Sequence, residues 1–245
     1  MKIKQHIPNF ITTLNLISGF IAIIQVHHGD LVMASAFIFL AAVFDFLDGN
    51  IARLLKAYSE FGKQLDSLAD VVSFGVAPGF LVYSILESGC QGSCNILEQL
   101  HITPYFALLI PVCSALRLAK FNIDLRQEEN FIGLPTPANA LFFASIPLVV
   151  ILQPTLLSLV PVDFLTGFFS NTRIVAILVV FFSYLMISDL RIFSMKVKTL
   201  TWQGNQLRFS LIIIAVLLLA LFSLAAIPMI IATYLLLSVF FQRSI

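Results

Sequence analysis

The stretch FDFLDGNIARLLKAYSEFGKQLDSLAD, Phe44 to Asp70, decides how the chain is read. It holds four aspartates, Asp45, Asp48, Asp66 and Asp70, in a chain that is 59% hydrophobic and only 11% charged. An ionised carboxylate at bilayer depth costs roughly 2.5–3.5 kcal/mol on insertion scales, so acids kept in an apolar run are expected to serve a function. Asp45 and Asp48 are three positions apart and Asp66 and Asp70 four, so each pair lies near one face of a helix. Gly49, Ala52 and Arg53 continue the first helix near that face. The segment Leu54–Lys63 is short enough to fold the two helices together, and both pairs of carboxylates then converge at one rim.

The surroundings are those of a membrane protein. A soluble domain carries roughly a quarter charged residues, and here the apolar runs approach the ~20 residues that span a bilayer. Eight such runs are legible, at 11–26, 31–54, 64–88, 103–123, 136–153, 173–190, 208–224 and 227–241. The expected fold is therefore an all-α integral membrane protein, a bundle of about eight transmembrane helices forming one membrane domain over 1–245. The first run lacks a small-x-small cleavage site and leads into further spans, so it reads as a span rather than a leader. Gly29-Asp30 separates the first two runs, QPTLLSLVPVDFLTGFFSN reads as a loop, and Ala226-Ile227-Pro228 reads as the turn between the last two. With the N-terminus inside, 13 of the 14 basic residues fall on one side and only Arg173 opposite. The positive-inside rule then places both termini, and the aspartate rim, on the cytoplasmic side of the cell membrane.

A net charge of +1 offers no field for nucleic acid. Cys113 lies in an apolar run and reads as a packing residue. Cys90 and Cys94, in CQGSC, read as loop thiols, free or paired, without a zinc pattern around them. Lys2 and Lys4 with Ile3, Ile7 and Phe10 suit an interfacial helix or a plain juxtamembrane anchor. Asn9, Thr12, Thr13 and Asn15 either satisfy helix-end groups or face a polar cavity.

Four convergent carboxylates repel unless positive charge sits between them. Arg53 and Lys63 supply part of it, and divalent cations would supply more. Oxygen-only ligands suit hard ions such as Mg²⁺ or Mn²⁺. Two such ions about 4 Å apart form a clamp for phosphoryl displacement. Gly49, Ala52 and Gly62 would let a phosphate or nucleotide approach the backbone closely. The plainer alternative is a rim of ion pairs, Asp48 with Arg53 and Asp66 with Lys63.

The pattern Asp45-x2-Asp48-Gly49-x2-Ala52-Arg53-x8-Gly62-x3-Asp66-x3-Asp70 resembles the motif of the CDP-alcohol phosphotransferase family at every fixed position. That resemblance implies a membrane enzyme that moves a phosphatidyl-type group from a CDP-linked lipid to an alcohol and releases CMP. It implies that Asp45 and Asp66 bridge two metal ions and that Asp48 binds the first. Asp70 would touch the second and act as the base on the acceptor hydroxyl. Gly49, Ala52 and Arg53 would hold the CDP moiety, Ser59 would reach its phosphate, and Gly62 would keep the helix open beside the nucleotide. It further implies a catalytic core over 1–150 with its motif at 45–70, additional transmembrane helices over 151–245, and a homodimer.

IPNFITTLNLISGF, SFGVAPGF (Ser73–Phe80), ALRLAKFNID (Ala115–Asp124) and FIGLPTPANA (Phe131–Ala140) resemble the phosphatidylserine synthase branch of that family. This implies CDP-diacylglycerol and L-serine as substrates among the membrane lipids. Serine's carboxylate needs a cation. Arg117 is the choice, because its planar fork binds a carboxylate bidentately, with Lys120 and Arg126 as further acceptor-binding candidates. Each also reads as a positive-inside anchor. Pro135 and Pro137 either free backbone carbonyls toward the cavity or simply begin a helix. Another acceptor, glycerol phosphate or an inositol, is the nearest alternative. A divalent-cation transporter is remote, because the acids cluster at one rim rather than along a pore.

Overall fold

The chain first reverses at Gly29 and Asp30. The computed structural model describes residues 3–89, 102–123, 131–155, 160–192 and 205–240. Helices α1 (Ile3–His27) and α2 (Leu31–Leu54) flank this turn and pack closely on each other. Gly29 takes φ +81°, and the Asp30 side chain accepts Met33 N–H at 2.9 Å, satisfying one open donor of α2.

The end of α2 sets up the aspartate rim. Lys56 adopts φ 49°, Ala57 N–H donates to Ala52 O at 2.9 Å, and Lys56 N–H donates to Arg53 O at 3.2 Å. This Schellman arrangement satisfies the last carbonyls and turns the chain sharply. Ser59 then caps α3 (Glu60–Asp70), accepting Gly62 N–H at 3.0 Å. Helix α1 packs against both α2 and α3.

Directly after Asp70 the helix widens into a π turn, Val71–Val76, before continuing as α4 (Ala77–Gly89). Pro78 has no N–H to give to Phe74 O, and the Ser114 hydroxyl approaches that oxygen at 3.5 Å instead. A π turn of this kind re-aims the side chains beside it and is frequent at functional sites.

A 3₁₀ segment, Thr103–Leu108, leads into α5 (Leu109–Ile123). Helix α6 (Thr136–Pro147) begins immediately after Pro135, whose carbonyl accepts Asn139 N–H at 3.1 Å. The LPTPAN prolines therefore act as a helix start, where a missing N–H costs nothing. Helix α6 ends in a second π turn, Leu148–Leu152.

Helices α7 (Asp163–Ser170) and α8 (Thr172–Ile187) meet at a bend of 79°. Helix α7 lies where the sequence reads as a loop. Its eight residues are too few for a clear period, yet Leu165, Phe168 and Phe169 pack against the core. An antiparallel ladder of two residues per strand, β1 (Phe131–Ile132) with β2 (Arg191–Ile192), ties the start of α6 to the end of α8 and is the exception to an otherwise helical fold among the described residues. Helices α9 (Gln206–Phe222) and α10 (Ala226–Phe240) pack on each other across a break at Ser223, φ 54°. The turn thus falls before Ala226, and Pro228 lies in the first turn of α10.

Among the described residues, five helical segments are long and apolar enough to cross a membrane: His6–His27, Leu31–Leu54, Glu60–Gly89, Thr103–Ile123 and Gln206–Phe240. The bent α7–α8 pair makes six if taken as one span, and Thr136–Leu152 is a shorter apolar helix. The core centres on Phe142, Phe143 and Phe182, with the Phe142 and Phe182 rings stacked at 4.1 Å. Large apolar side chains such as Ile177, Leu217 and Phe240 remain on the outer surface. That is the expected finish for a chain solvated by lipid.

Candidate active site

The rim contains four acids because three helices bring them together. Carboxylate oxygens of Asp45, Asp48 and Asp66 lie within 4.8 Å of one another. Asp70, one turn deeper on α3, is within electrostatic range of all three. Asp48 and Asp70 are both buried, at 6% and 7% exposure.

Helix α1 orients two of the four. Thr12 Oγ1 donates to Asp48 Oδ2 at 2.7 Å, and Asn15 Nδ2 donates to Asp70 Oδ1 at 3.1 Å. Thr12 and Asn15 therefore meet the site's acids and Asn9 lines its cavity, whereas Thr13 donates to Asn9 O at 2.9 Å within its own helix. Their signal was present in the sequence as the three-residue spacing of Asn9, Thr12 and Asn15. A close approach makes the second bond possible: a Cβ on Gly19 would lie 2.6 Å from Ser73 Cα, so only glycine lets α1 sit against the π turn. Ser73 Oγ further approaches Asn15 O at 3.3 Å.

The ion-pair alternative does not hold. Arg53 donates to Gly49 O at 3.1 Å and to Asn50 Oδ1 at 2.9 Å, while Lys63 Nζ reaches Asn122 O at 3.4 Å. Among the described residues neither cation pairs with an aspartate of the cluster. Asp66 Oδ1 is buried with no hydrogen-bond partner. Three converging carboxylates, one with an orphaned buried oxygen and no cation in contact, fit a hard divalent ion.

A cavity of about 600 Å³ opens beside the acids. Its walls include Asn9, Thr12, Asp48, Gly49, Ser59 and Asp66, with Ala52, Gly62 and Lys63 alongside. Nothing stands within 4 Å of where a Gly49 Cβ would be, so that backbone is open to a ligand. At Gly62 a Cβ would meet Asn9 Oδ1 at 2.9 Å and Ser59 Oγ at 3.0 Å, so glycine there preserves the junction of α1 and α3. The Ser59 hydroxyl accepts from Gly62 and keeps its own hydrogen to donate. Of the nucleotide-side candidates, Gly49, Ala52, Ser59 and Gly62 line the cavity. The exposed Arg53 is turned back along its own helix and does not.

The acceptor candidates separate. Arg117 on α5 is 7% exposed, its Nε buried without a partner, within electrostatic range of Asp70 and of Tyr234. Lys120 instead makes an ion pair with Asp189 at 2.8 Å at the rim. Arg126, like Cys90 and Cys94, lies outside the described residues. Cys113 is buried and free. Thr136 and Asn139 at the start of α6 are buried, with side-chain polar atoms unpaired among the described residues.

A profile of the CDP-alcohol phosphatidyltransferase family matches residues 5–169, which include the whole acid cluster and its cavity. The chain belongs to the CDP-alcohol phosphatidyltransferase family. Similar members of this family carry more specific names. The CDP-diacylglycerol–serine O-phosphatidyltransferase of Methanocaldococcus jannaschii is 41% identical over 135 residues, covering 55% of this chain and 57% of that protein. The protein of the same name from Bacillus subtilis is 35% identical over 191 residues, 76% of this chain and 89% of the relative. An archaetidylserine synthase of Methanothermobacter thermautotrophicus is 34% identical over 186 residues, 75% of this chain and 68% of the relative. The CDP-alcohol phosphatidyltransferase match ends within α7, leaving α8 to α10 beyond it.

Proposed function

We propose that this protein is a CDP-diacylglycerol–serine O-phosphatidyltransferase, moving the phosphatidyl group of CDP-diacylglycerol to the hydroxyl of L-serine and releasing CMP. The observation that carries the choice of acceptor is Arg117, a buried guanidinium in range of Asp70 with no ion pair among the described residues. Burying an unpaired cation is costly, and an anionic ligand group offsets that cost. L-serine presents its carboxylate to Arg117 and its hydroxyl to Asp70.

Each residue then has a task. Asp45, Asp48 and Asp66 would hold Mg²⁺ or Mn²⁺ at the rim, and Asp45, Asp66 and Asp70 would hold a second ion. When bound, the two ions polarise the diphosphate and neutralise charge on the departing CMP. The open backbone at Gly49, with Ala52 and Gly62, accepts the CDP moiety in the 600 Å³ cavity, and Ser59 donates to a phosphate oxygen. Arg53 swings from its own helix toward the nucleotide. Asp70, oriented by Asn15, accepts the serine hydroxyl proton. The serine oxygen attacks the lipid-side phosphorus in line, a P–O bond forms, and the P–O bond to CMP breaks with its electrons leaving on CMP. Lys120 and Arg126 are further acceptor-binding candidates.

The finer architecture belongs to the same proposal. The membrane domain has eight spans with both termini and the site on the cytoplasmic side of the cell membrane. Residues 1–150 form the catalytic core, 151–245 add helices, and the protein acts as a homodimer. The positive-inside distribution supports the orientation, and the bent α7–α8 pair and the break at Ser223 support the span count.

The test is CMP release by purified protein in detergent with CDP-diacylglycerol, Mn²⁺ or Mg²⁺, and an acceptor panel of L-serine, glycerol phosphate and inositol. Release that requires serine and metal is the expected result. Release with another acceptor would keep the transferase site and discard the role of Arg117. Metal uptake into sealed vesicles without lipid turnover would replace the enzyme with a transporter.

A further inference from the structure

The first turn of α6 holds polar atoms that the fold leaves without partners. Thr136 is 1% exposed and Asn139 fully buried, yet Thr136 Oγ1 and both Asn139 amide atoms make no hydrogen bond among the described residues. Buried polar groups in native proteins nearly always have a partner, so orphaned atoms gathered in one helical turn point to a ligand.

Packing places that turn beside Arg117. Asn139 and Thr136 lie four and seven positions before Phe143, on the same face of α6. The Phe143 ring meets Phe182 of α8 edge-on at 5.7 Å. One turn further along α8 toward the rim, the Met186 carbonyl lies against Gly133, and Met186 Sδ stands 3.7 Å from Ser114 Oγ on α5. Ser114 is one turn before Arg117. Its Oγ approaches Phe74 O of the π turn at 3.5 Å, and further along α5 Asn122 Nδ2 donates to Ser67 Oγ on α3 at 2.9 Å. Between these two contacts the antiparallel register sets Arg117 opposite Asp70. Helix α6 also packs on the π turn itself. The first turn of α6, Arg117 and Asp70 therefore border one interior region at the rim, and Arg117 Nε is a further buried atom without a partner.

These orphaned atoms match the two charged groups of an amino acid. A guanidinium and an amide N–H are donors for a carboxylate, and an amide oxygen and a hydroxyl oxygen are acceptors for an ammonium. Resting on the serine-transfer reading, we propose that Asn139 and Thr136 are acceptor-binding residues that read the zwitterion. Asn139 Oδ1 and Thr136 Oγ1 accept from serine's ammonium, while Asn139 Nδ2 donates to its carboxylate beside Arg117. Such a site selects an α-amino acid over a hydroxylated ligand with one of the two charges, because each missing group strands a buried polar atom.

The experiment uses the full chain in detergent with CDP-diacylglycerol and metal, comparing wild type, Asn139→Leu, Thr136→Val and Ser145→Ala. β-Hydroxypropionate, which is serine without its ammonium, competes as the probe. Thr136→Val removes one bond to the ammonium, so the serine KM should rise about tenfold while inhibition by the probe is unchanged. Asn139→Leu removes a bond to each charged group, so the serine KM should rise about a hundredfold and inhibition by the probe weaken only about tenfold. KM for CDP-diacylglycerol should stay constant in both. Ser145 donates to Phe142 O at 2.6 Å within the same helix, and Ser145→Ala should shift neither constant. If Asn139→Leu does not fold, Thr136→Val decides by the same comparison. Equal weakening of serine and the probe, a shift in KM for CDP-diacylglycerol, or an unchanged serine KM overturns the role of Asn139 and Thr136 while leaving serine transfer standing. A wild type that releases CMP only with glycerol phosphate or inositol overturns the serine reading and this inference with it.

Discussion

The α2 and α3 arms of the site carry the same acids on different foundations. On α2 the pair sits on a regular helix that ends in a Schellman turn. Its held member, Asp48, lines the cavity beside the open backbone of Gly49. On α3 the pair sits on a short helix that widens into a π turn directly after Asp70. Its held member does not line that cavity and is within electrostatic range of Arg117. Each arm has one carboxylate fixed by α1, through Thr12 or Asn15, and one without a side-chain hydrogen bond among the described residues. Near-identical residues at near-identical spacing thus stand in different surroundings. In the proposed reaction the α2 arm meets the nucleotide side, and the α3 arm carries the base.

Asp70→Asn tests that division most severely. It keeps the shape and the bond from Asn15 but removes the proton acceptor, so CMP release should fall on the order of a thousandfold. Retained release would move the base elsewhere. Asp66→Asn acts on the metal rather than the base. It should raise the Mn²⁺ concentration for half-maximal rate on the order of ten- to a hundredfold, and excess metal should partly restore it. Chelation of the wild type should stop release, and added Mn²⁺ should return it. A variant rate insensitive to metal would contradict the ligand role.

Smaller effects sharpen the contrast between the foundations. Gly19→Ala forces a Cβ to 2.6 Å from Ser73 Cα, so the α3 arm must shift. The expected cost is roughly 1–3 kcal/mol in stability, read as a lower thermal midpoint, with a loss of rate because Asn15 no longer meets Asp70. Thr12→Val disturbs only the α2 arm. It should weaken metal binding by about tenfold, the scale of a lost bond to a charged group, with little change in serine KM. A shift in serine KM would show that the arms are not separable. Lys56→Gly should be the mildest, stabilising by about 1 kcal/mol because a left-handed residue gains from losing its Cβ.

Much of this was legible in the chain because bilayers punish exceptions. Asp45, Asp48, Asp66 and Asp70 stand out against an apolar background, and the helices that carry them follow from run length and from Gly29-Asp30. Ser59 before Glu60 and Pro135 before Thr136 are local signals, satisfied within a few residues. Helix α7 was not legible. It is short, bracketed by turn residues, and stabilised by contacts with distant partners.

The amino-acid sequence by itself determined the membrane character, the acid motif and the residues that could hold a metal and a nucleotide. Those depend on side-chain chemistry and on spacings within one or two helical turns. Tertiary structure decided where each of several cations lies relative to the acids. Arg53, Lys63, Arg117 and Lys120 look alike in a string of letters. Folding turns Arg53 along its own helix, gives Lys120 to Asp189, and buries Arg117 near Asp70. It also decided that Tyr234, 117 positions further along the chain than Arg117, comes within electrostatic range of it. No local pattern encodes that meeting, because it arises from the packing of α10 against α6 and of α5 against the π turn.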